Sequence, residues 1–275
     1  MRRPEYYSPR NPATRIWGIW PTVHYGAPLS FAIAAKAGFV YTAAMCGRFN
    51  VIDNPELQTL LQELGIDLGL PSRSNIAPTD TIAMVRNTGD GNRISDMRWW
   101  LTPRWSRQVD QKYSMFNARS ESVASSRAFS QPFKIQRGIV PVSSFIEWRA
   151  EQGGRQPYRI EAEGEALALA AIWEYWEGDF EGAPRVIESC ALLTTAAAPQ
   201  FQQIHKRMPV VLVAAEQERW LDCTVPVAAN DPLFEPQLKK TLIVTAISRE
   251  VNNARNKDEA LLAGLEAPIL LSADD

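Results

Sequence analysis

The sequence predicts an α+β fold: a single domain with a curved, barrel-like, mainly antiparallel sheet and peripheral helices. Three observations lead there. Short apolar and β-branched runs recur along the chain between turn-forming residues, and clear helical periodicity is confined to two short stretches. Strands and helices do not alternate in the βαβ order that a parallel sheet requires. At 275 residues and 45% hydrophobic composition the chain can bury one good-sized core or two small ones, and neither an internal repeat nor a linker divides residues 46–271.

Residues 1–44 hold Pro4, Pro9, Pro12, Pro21 and Pro28 and an apolar stretch at 29–44 broken by Lys36. That stretch is too short and too interrupted to span a bilayer. Ala43 stands where a lipoprotein-type cleavage would need leucine, and no secretory cleavage site precedes Cys46. The expectation is an extension at 1–45, from a misassigned start codon or as a removed leader, then one domain at 46–271 and a tail at 272–275.

Beyond Phe49, Asp53 or Asn54 can cap a helix with Pro55 in its first turn, Leu57, Leu60, Leu61 and Leu64 as its apolar stripe, and Gly65 as its stop. Residues 71–78 read as loop. Residues 81–86 and 93–100 are strand-like and joined by an Asn/Gly-rich turn, a hairpin signature. Residues 101–115 read as irregular, basic and aromatic. An apolar strand at 137–148 follows, then strands at 158–160, 167–173, 190–195 and 209–213, a short helix at 215–221, and a last strand at 242–247.

The three cysteines, Cys46, Cys190 and Cys223, are odd in number and far apart, which argues against a disulfide framework and for a reducing, cytoplasmic setting. Two histidines, His24 and His205, without CxxC or HExxH spacing, do not make a metal site, and no cofactor is indicated. Net charge is −2 and the pI about 5.9, yet residues 86–149 carry eleven Lys/Arg against five Asp/Glu, a local +6. Such a segment can present a basic face to phosphates or can scatter its arginines over the surface.

Four groups can carry chemistry. In Met45-Cys46-Gly47-Arg48-Phe49, a Cys46 at the chain terminus would combine an α-amine and a thiol, both with a reactive fraction near neutral pH; an internal Cys46 would keep only the thiol. Asn117-Ala118-Arg119-Ser120-Glu121 gathers an amide, a guanidinium and a carboxylate. Glu147 lies among Phe145, Ile146 and Trp148, where desolvation would raise its pKa. His205 precedes Lys206-Arg207-Met208-Pro209. Each has a plainer reading: Cys46 as a small buried hydrophobe, Glu147 facing outward, His205 as packing, and Arg119 with Glu121 as a surface pair.

Taken with Asn75-Ile76-Ala77-Pro78, Val140-Pro141 and Val251-Asn252-Asn253, these groups occur in the order of the SOS-response-associated peptidase family, which the chain resembles from Cys46 to about Leu271. The resemblance implies a sensor of abasic sites in single-stranded DNA. In that family the cysteine follows the initiator methionine. Its amine forms a Schiff base with the sugar aldehyde and its thiol closes a thiazolidine, a covalent and reversible link. It further implies catalytic roles for Cys46, Asn117, Glu147 and His205, with Glu147 and His205 handling protons and Asn117 orienting the amine or ring. DNA contacts fall to Arg48, Asn75, Pro78, Trp105, Arg119 and Arg127, with Trp99 and Trp148 as stacking candidates. Replication-fork proteins as partners, a monomeric state and association with the nucleoid when bound to DNA follow from the same resemblance.

Three departures stand out. Trp99-Trp100 occupies the place of a usual Trp-Gly, Ser144 and Ile146 replace a common glycine and aromatic, and the extension would turn the required amine into an amide. Two other functions fit the residues: a cysteine hydrolase using Cys46 with His205 and Glu147, and a non-covalent single-stranded DNA-binding module.

Overall fold

The computed structural model describes residues 47–110 and 112–273. Cys46 and the expected extension lie outside the described residues. In order, the elements are β1 (Arg48–Val51), α1 (Pro55–Glu63), β2 (Arg73–Ile76), β3 (Thr81–Asn87), β4 (Asn92–Arg98), β5 (Asn117–Arg119), α2 (Ser120–Val123), α3 (Ser130–Ile135), β6 (Arg137–Val142), β7 (Ser144–Glu151), β8 (Gly154–Ala162), β9 (Leu167–Phe180), β10 (Ala183–Ala196), β11 (Arg207–Pro209), α4 (Ala214–Leu221), β12 (Leu242–Ala246) and β13 (Ile269–Leu271). Short 3-10 turns lie between some of them.

Five strands close on themselves in the order β10, β4, β3, β6, β9 and back to β10. The expected barrel-like sheet is therefore a closed barrel. Its closure is the long β9–β10 hairpin, antiparallel from Ala183 opposite Phe180 to Leu192 opposite Ala171. A second, antiparallel sheet runs β13, β12, β8, β7, β1, β2, and its Phe49, Phe145 and Ile160 join Val85, Ile139, Leu169 and Leu192 of the barrel in one apolar core. Every residue of β6 is buried, as befits a strand enclosed on both faces. Gly138 is required there: a Cβ would stand 2.8 Å from the Val85 carbonyl oxygen of β3.

The predicted helix is α1. Asn54 provides the cap, its Oδ1 accepting from Leu57 N at 3.0 Å, Leu57, Leu60 and Leu61 are buried, and Gly65 ends it at φ +73°, a left-handed conformation that glycine adopts without strain. The hairpin at β3–β4 and the helix α4 also follow the sequence.

Four expectations are corrected. Residues 71–78 contain a strand, β2, hidden because its buried Ser74 and Asn75 are polar and break the apolar alternation that marks strands. Residues 137–148 are two strands, because the chain leaves the barrel for the outer sheet at Ser143, whose N–H donates to Asn50 O at 2.9 Å. Residues 167–173 and 190–195 are only the buried halves of two 14-residue strands. The strand expected at 209–213 starts and stops earlier, at β11, with Val211 making only an isolated bridge to Leu169. Among the described residues no helix is long and apolar enough to cross a membrane.

Candidate functional site

The sheet register brings the start of β1 to Glu147. Arg48 pairs with Ile146, Phe49 with Phe145 and Asn50 with Ser144, so β1 opens one position from Glu147 on its neighbour. Glu147 is 1% exposed. Side chains alternate along a strand, so Glu147 shares the core-facing side of β7 with Phe145. Directly across from it stands Tyr158 of β8, whose hydroxyl donates to Glu151 at 2.6 Å. Burial and that bond push the Tyr158 phenol up to about 12, against the pull of the Arg149 charge, so the phenol stays neutral at physiological pH.

Arg48 is braced within the protein. Its Nη1 donates to Asn75 Oδ1 at 2.7 Å and to Val251 O at 2.8 Å, and its guanidinium sits 5.8 Å from the Trp148 ring centre, within cation–π range. Trp148, half-buried, donates from Nε1 to Asn252 Oδ1 at 2.6 Å. Asn75 is 1% exposed.

A second corner forms where β5 and β11 flank β10. Leu192 pairs with Asn117 and Thr194 with Arg119 on one side, and Thr194 pairs with Pro209 and Ala196 with Arg207 on the other. Glu121, just past β5, reaches across to Arg207, accepting at Oε2 from Nη2 at 3.0 Å and at Oε1 from Nη1. Partial burial pushes the Glu121 carboxyl up, but the Arg207 guanidinium, a backbone amide and the Arg119 charge together hold it below its usual value. His205 Nδ1 lies 3.1 Å from Arg207 O and 3.2 Å from Arg207 N, so one tautomer donates to the carbonyl and the other accepts from the amide. Burial lowers the His205 pKa; the backbone bond opposes this, while the Arg155, Arg207 and Lys206 charges reinforce it. The ring is accordingly neutral at pH 7 and can take up a proton.

Two apolar contacts join the corners. A Cβ built on Gly47 would stand 3.9 Å from Phe116 Cε2, which sets the residue after Cys46 against the residue before Asn117. Phe145, two residues before Glu147, packs on Phe201 with ring centres 6.1 Å apart, and Phe201 O accepts from the His205 amide at 3.2 Å. The segments bearing Asn117, Glu147 and His205 thus meet around the start of β1.

Around them lies a basic and aromatic rim. Trp105 is half exposed, with the Arg127 guanidinium 4.3 Å from its ring centre and its Nε1 donating to Arg127 O at 3.3 Å. Arg119 and Arg127 are exposed and Pro78 half-buried. Trp99, a stacking candidate from sequence, is instead core, fully buried with Nε1 donating to Phe116 O. Part of the local positive charge is already matched: Arg86, Arg104 and Arg149 pair with Glu188, Glu174 and Glu151, and the buried Arg137 guanidinium donates to the Trp220, Asp222 and Val225 carbonyls. Among the described residues no group of three or more His, Cys, Asp or Glu is placed to hold a metal.

Sequence reasoning gave no role to Arg207 or Asn252, although both sit in motifs it singled out. Arg155 carried no signal and Tyr158 only that of a strand, since their relevance comes from placement across the sheet and beside His205.

The model of the SOS response associated peptidase (SRAP) family matches residues 45–254. Similar proteins include the abasic site processing protein YoqW of Bacillus subtilis, 31% identical over 79% of this chain and 99% of that protein. Others are the abasic site processing protein YedK of Escherichia coli, 28% identical over 79% and 99%, and the abasic site processing protein HMCES of Gallus gallus, 30% identical over 63% and 58%. A crystal structure of a protein from Bacteroides thetaiotaomicron superposes with a TM-score of 0.65 at 20% identity, covering 79% of this chain and 99% of that one. That likeness concerns the fold.

Proposed function

Because the chain belongs to the SOS response associated peptidase family, we propose that it processes abasic sites in single-stranded DNA by linking itself covalently to them through Cys46. The observation that carries this reading is the meeting of the Asn117, Glu147 and His205 segments around the start of β1, two residues beyond Cys46.

The chemistry needs Cys46 as the first residue of the working protein. Its α-amine adds to the C1 aldehyde of the ring-opened sugar, and the carbinolamine loses one water to give an imine. The thiol then adds to the same carbon while its proton passes to the nitrogen, closing a five-membered thiazolidine. No oxidant or metal enters the balance, and the single product besides the adduct is water. Amine and thiol sit on one residue, so the second addition needs no further encounter.

Glu147, 1% exposed on β7, is assigned proton delivery to the departing hydroxyl. His205, neutral at working pH, suits proton removal from the attacking amine and, in reverse, release of the DNA. Asn117 orients the amine through its amide. Arg119 and Arg127 hold phosphates, with Trp105 as a stacking surface.

One gel tests the reading. Chains started at Met45 and at Met1 are mixed with single-stranded DNA bearing an abasic site and run under denaturing conditions. A shifted band from the Met45 chain, absent in Cys46→Ala, is expected. No band, or an undiminished one in the variant, would overturn it, and a strong band from intact Met1 chain would remove the free-amine mechanism.

A further inference from the structure

We propose that Asn75 is a positioning residue for the covalent step: through residues 251–257 it holds β1, which begins two residues after Cys46, against β7, which carries Glu147. The inference rests on the crosslinking reading above and assigns Asn75 a task other than touching DNA.

Asn75 is 1% exposed and its φ is +50°, a left-handed conformation that costs most residues energy and that asparagine tolerates. Its carboxamide is fully committed. Nδ2 donates to Val251 O at 3.0 Å, Asn253 O at 3.1 Å and Asn256 O at 2.8 Å, and Oδ1 accepts from Arg48 at 2.7 Å. Its backbone is tied as well, N donating to Asn50 Oδ1 at 2.8 Å and O accepting from Lys257 Nζ at 2.8 Å. Ser74 Oγ donates to Lys257 O. A seven-residue segment more than 170 positions away is thereby fastened along β2 at both ends.

The fastened segment also bonds the strands at the site. Val251 O and Asn252 O accept from Arg48, two residues after Cys46. Asn252 Oδ1 accepts from Trp148, one residue after Glu147. One strap thus holds Arg48, two residues after Cys46, and Trp148, the residue after Glu147. A side chain so buried offers DNA no surface, so its loss acts on geometry. Small displacements of reacting groups reduce rate far more than they reduce affinity.

The experiment separates the two quantities. Adduct formation is followed in single turnover at saturating abasic single-stranded DNA, and non-covalent affinity is measured in a Cys46→Ala background. Asn75→Gly keeps the left-handed backbone accessible and removes the side chain with its carboxamide. It is expected to slow the adduct step about tenfold or more while the Kd stays within about twofold. Lys257→Met, which cuts the bond to Asn75 O and the ion pair with Asp80 but leaves the carboxamide in place, should slow it in the same direction by less. Where thermal unfolding shows that Asn75→Gly does not fold, Lys257→Met and Ser74→Ala carry the decision. An unchanged rate, or a loss confined to affinity or shared equally by affinity and rate, would overturn the positioning role alone. Absence of adduct from the unaltered Met45 chain would instead overturn the crosslinking reading and this role with it.

Discussion

His205 illustrates how one side chain links the site to stability. Its pKa is lowered below 6.5, chiefly by burial and then by neighbouring positive charge. Between that lowered value and 6.5 the unfolded chain binds more protons than the native one. The native state therefore keeps its stability above about pH 6.5 and loses some as the pH falls through the folded value. His205→Gln should flatten this part of the profile, read as urea midpoints measured from about pH 7 to pH 5. A slope equal to the parent's would show that the ring titrates as it does in the unfolded chain. At the same scale, Glu147→Gln removes the acid without removing bulk. It should slow adduct formation by about a hundredfold or more, the usual contribution of a positioned proton donor, with single-stranded DNA affinity preserved in an anisotropy titration.

At the scale of elements, two changes test why the fold takes this form. Asn54→Ala removes the side chain that accepts from Leu57 N and should cost about 1 kcal/mol in denaturant unfolding. Gly138→Ala forces a methyl against Val85 O and should cost about 1–3 kcal/mol, since the barrel strands must move apart. These elements also show what the sequence makes legible. The cap, the Leu57, Leu60 and Leu61 stripe and Gly65 identify α1 because every signal is local. The β3–β4 hairpin is legible for the same reason. β2 is not, because Ser74 and Asn75 are buried by hydrogen bonds to a loop far along the chain rather than by apolar contact. The outer halves of β9 and β10 escape notice because Glu174 is buried there while Tyr175 and Val186 are exposed, against the apolar alternation that marks a strand. The proposed set of Cys46, Asn117, Glu147 and His205 rests on motif order, which the sequence carries. Tyr158, opposite Glu147, and Lys257, bonded to Asn75, are not legible there, because only folding makes them neighbours.

At the scale of the whole molecule, a chain of net charge −2 must bind a polyanion through a local excess of positive charge. Arg86, Arg104 and Arg149 are neutralised by carboxylates and Arg137 is enclosed by carbonyls, so the +6 between residues 86 and 149 overstates what DNA meets. Arg119 and Arg127 are exposed on the same segment. If each binds one phosphate, each releases about 0.7 counterion from a single strand. The double variant Arg119→Gln/Arg127→Gln should then reduce the slope of log K against log salt by about 1.4, in titrations of a Cys46→Ala background from 50 to 200 mM salt. Arg86→Gln should leave the slope unchanged, because its charge is already matched by Glu188 and its face covered by Trp173. Equal reductions from the double variant and from Arg86→Gln would mean that the field of the whole segment, rather than two placed guanidiniums, attracts the strand.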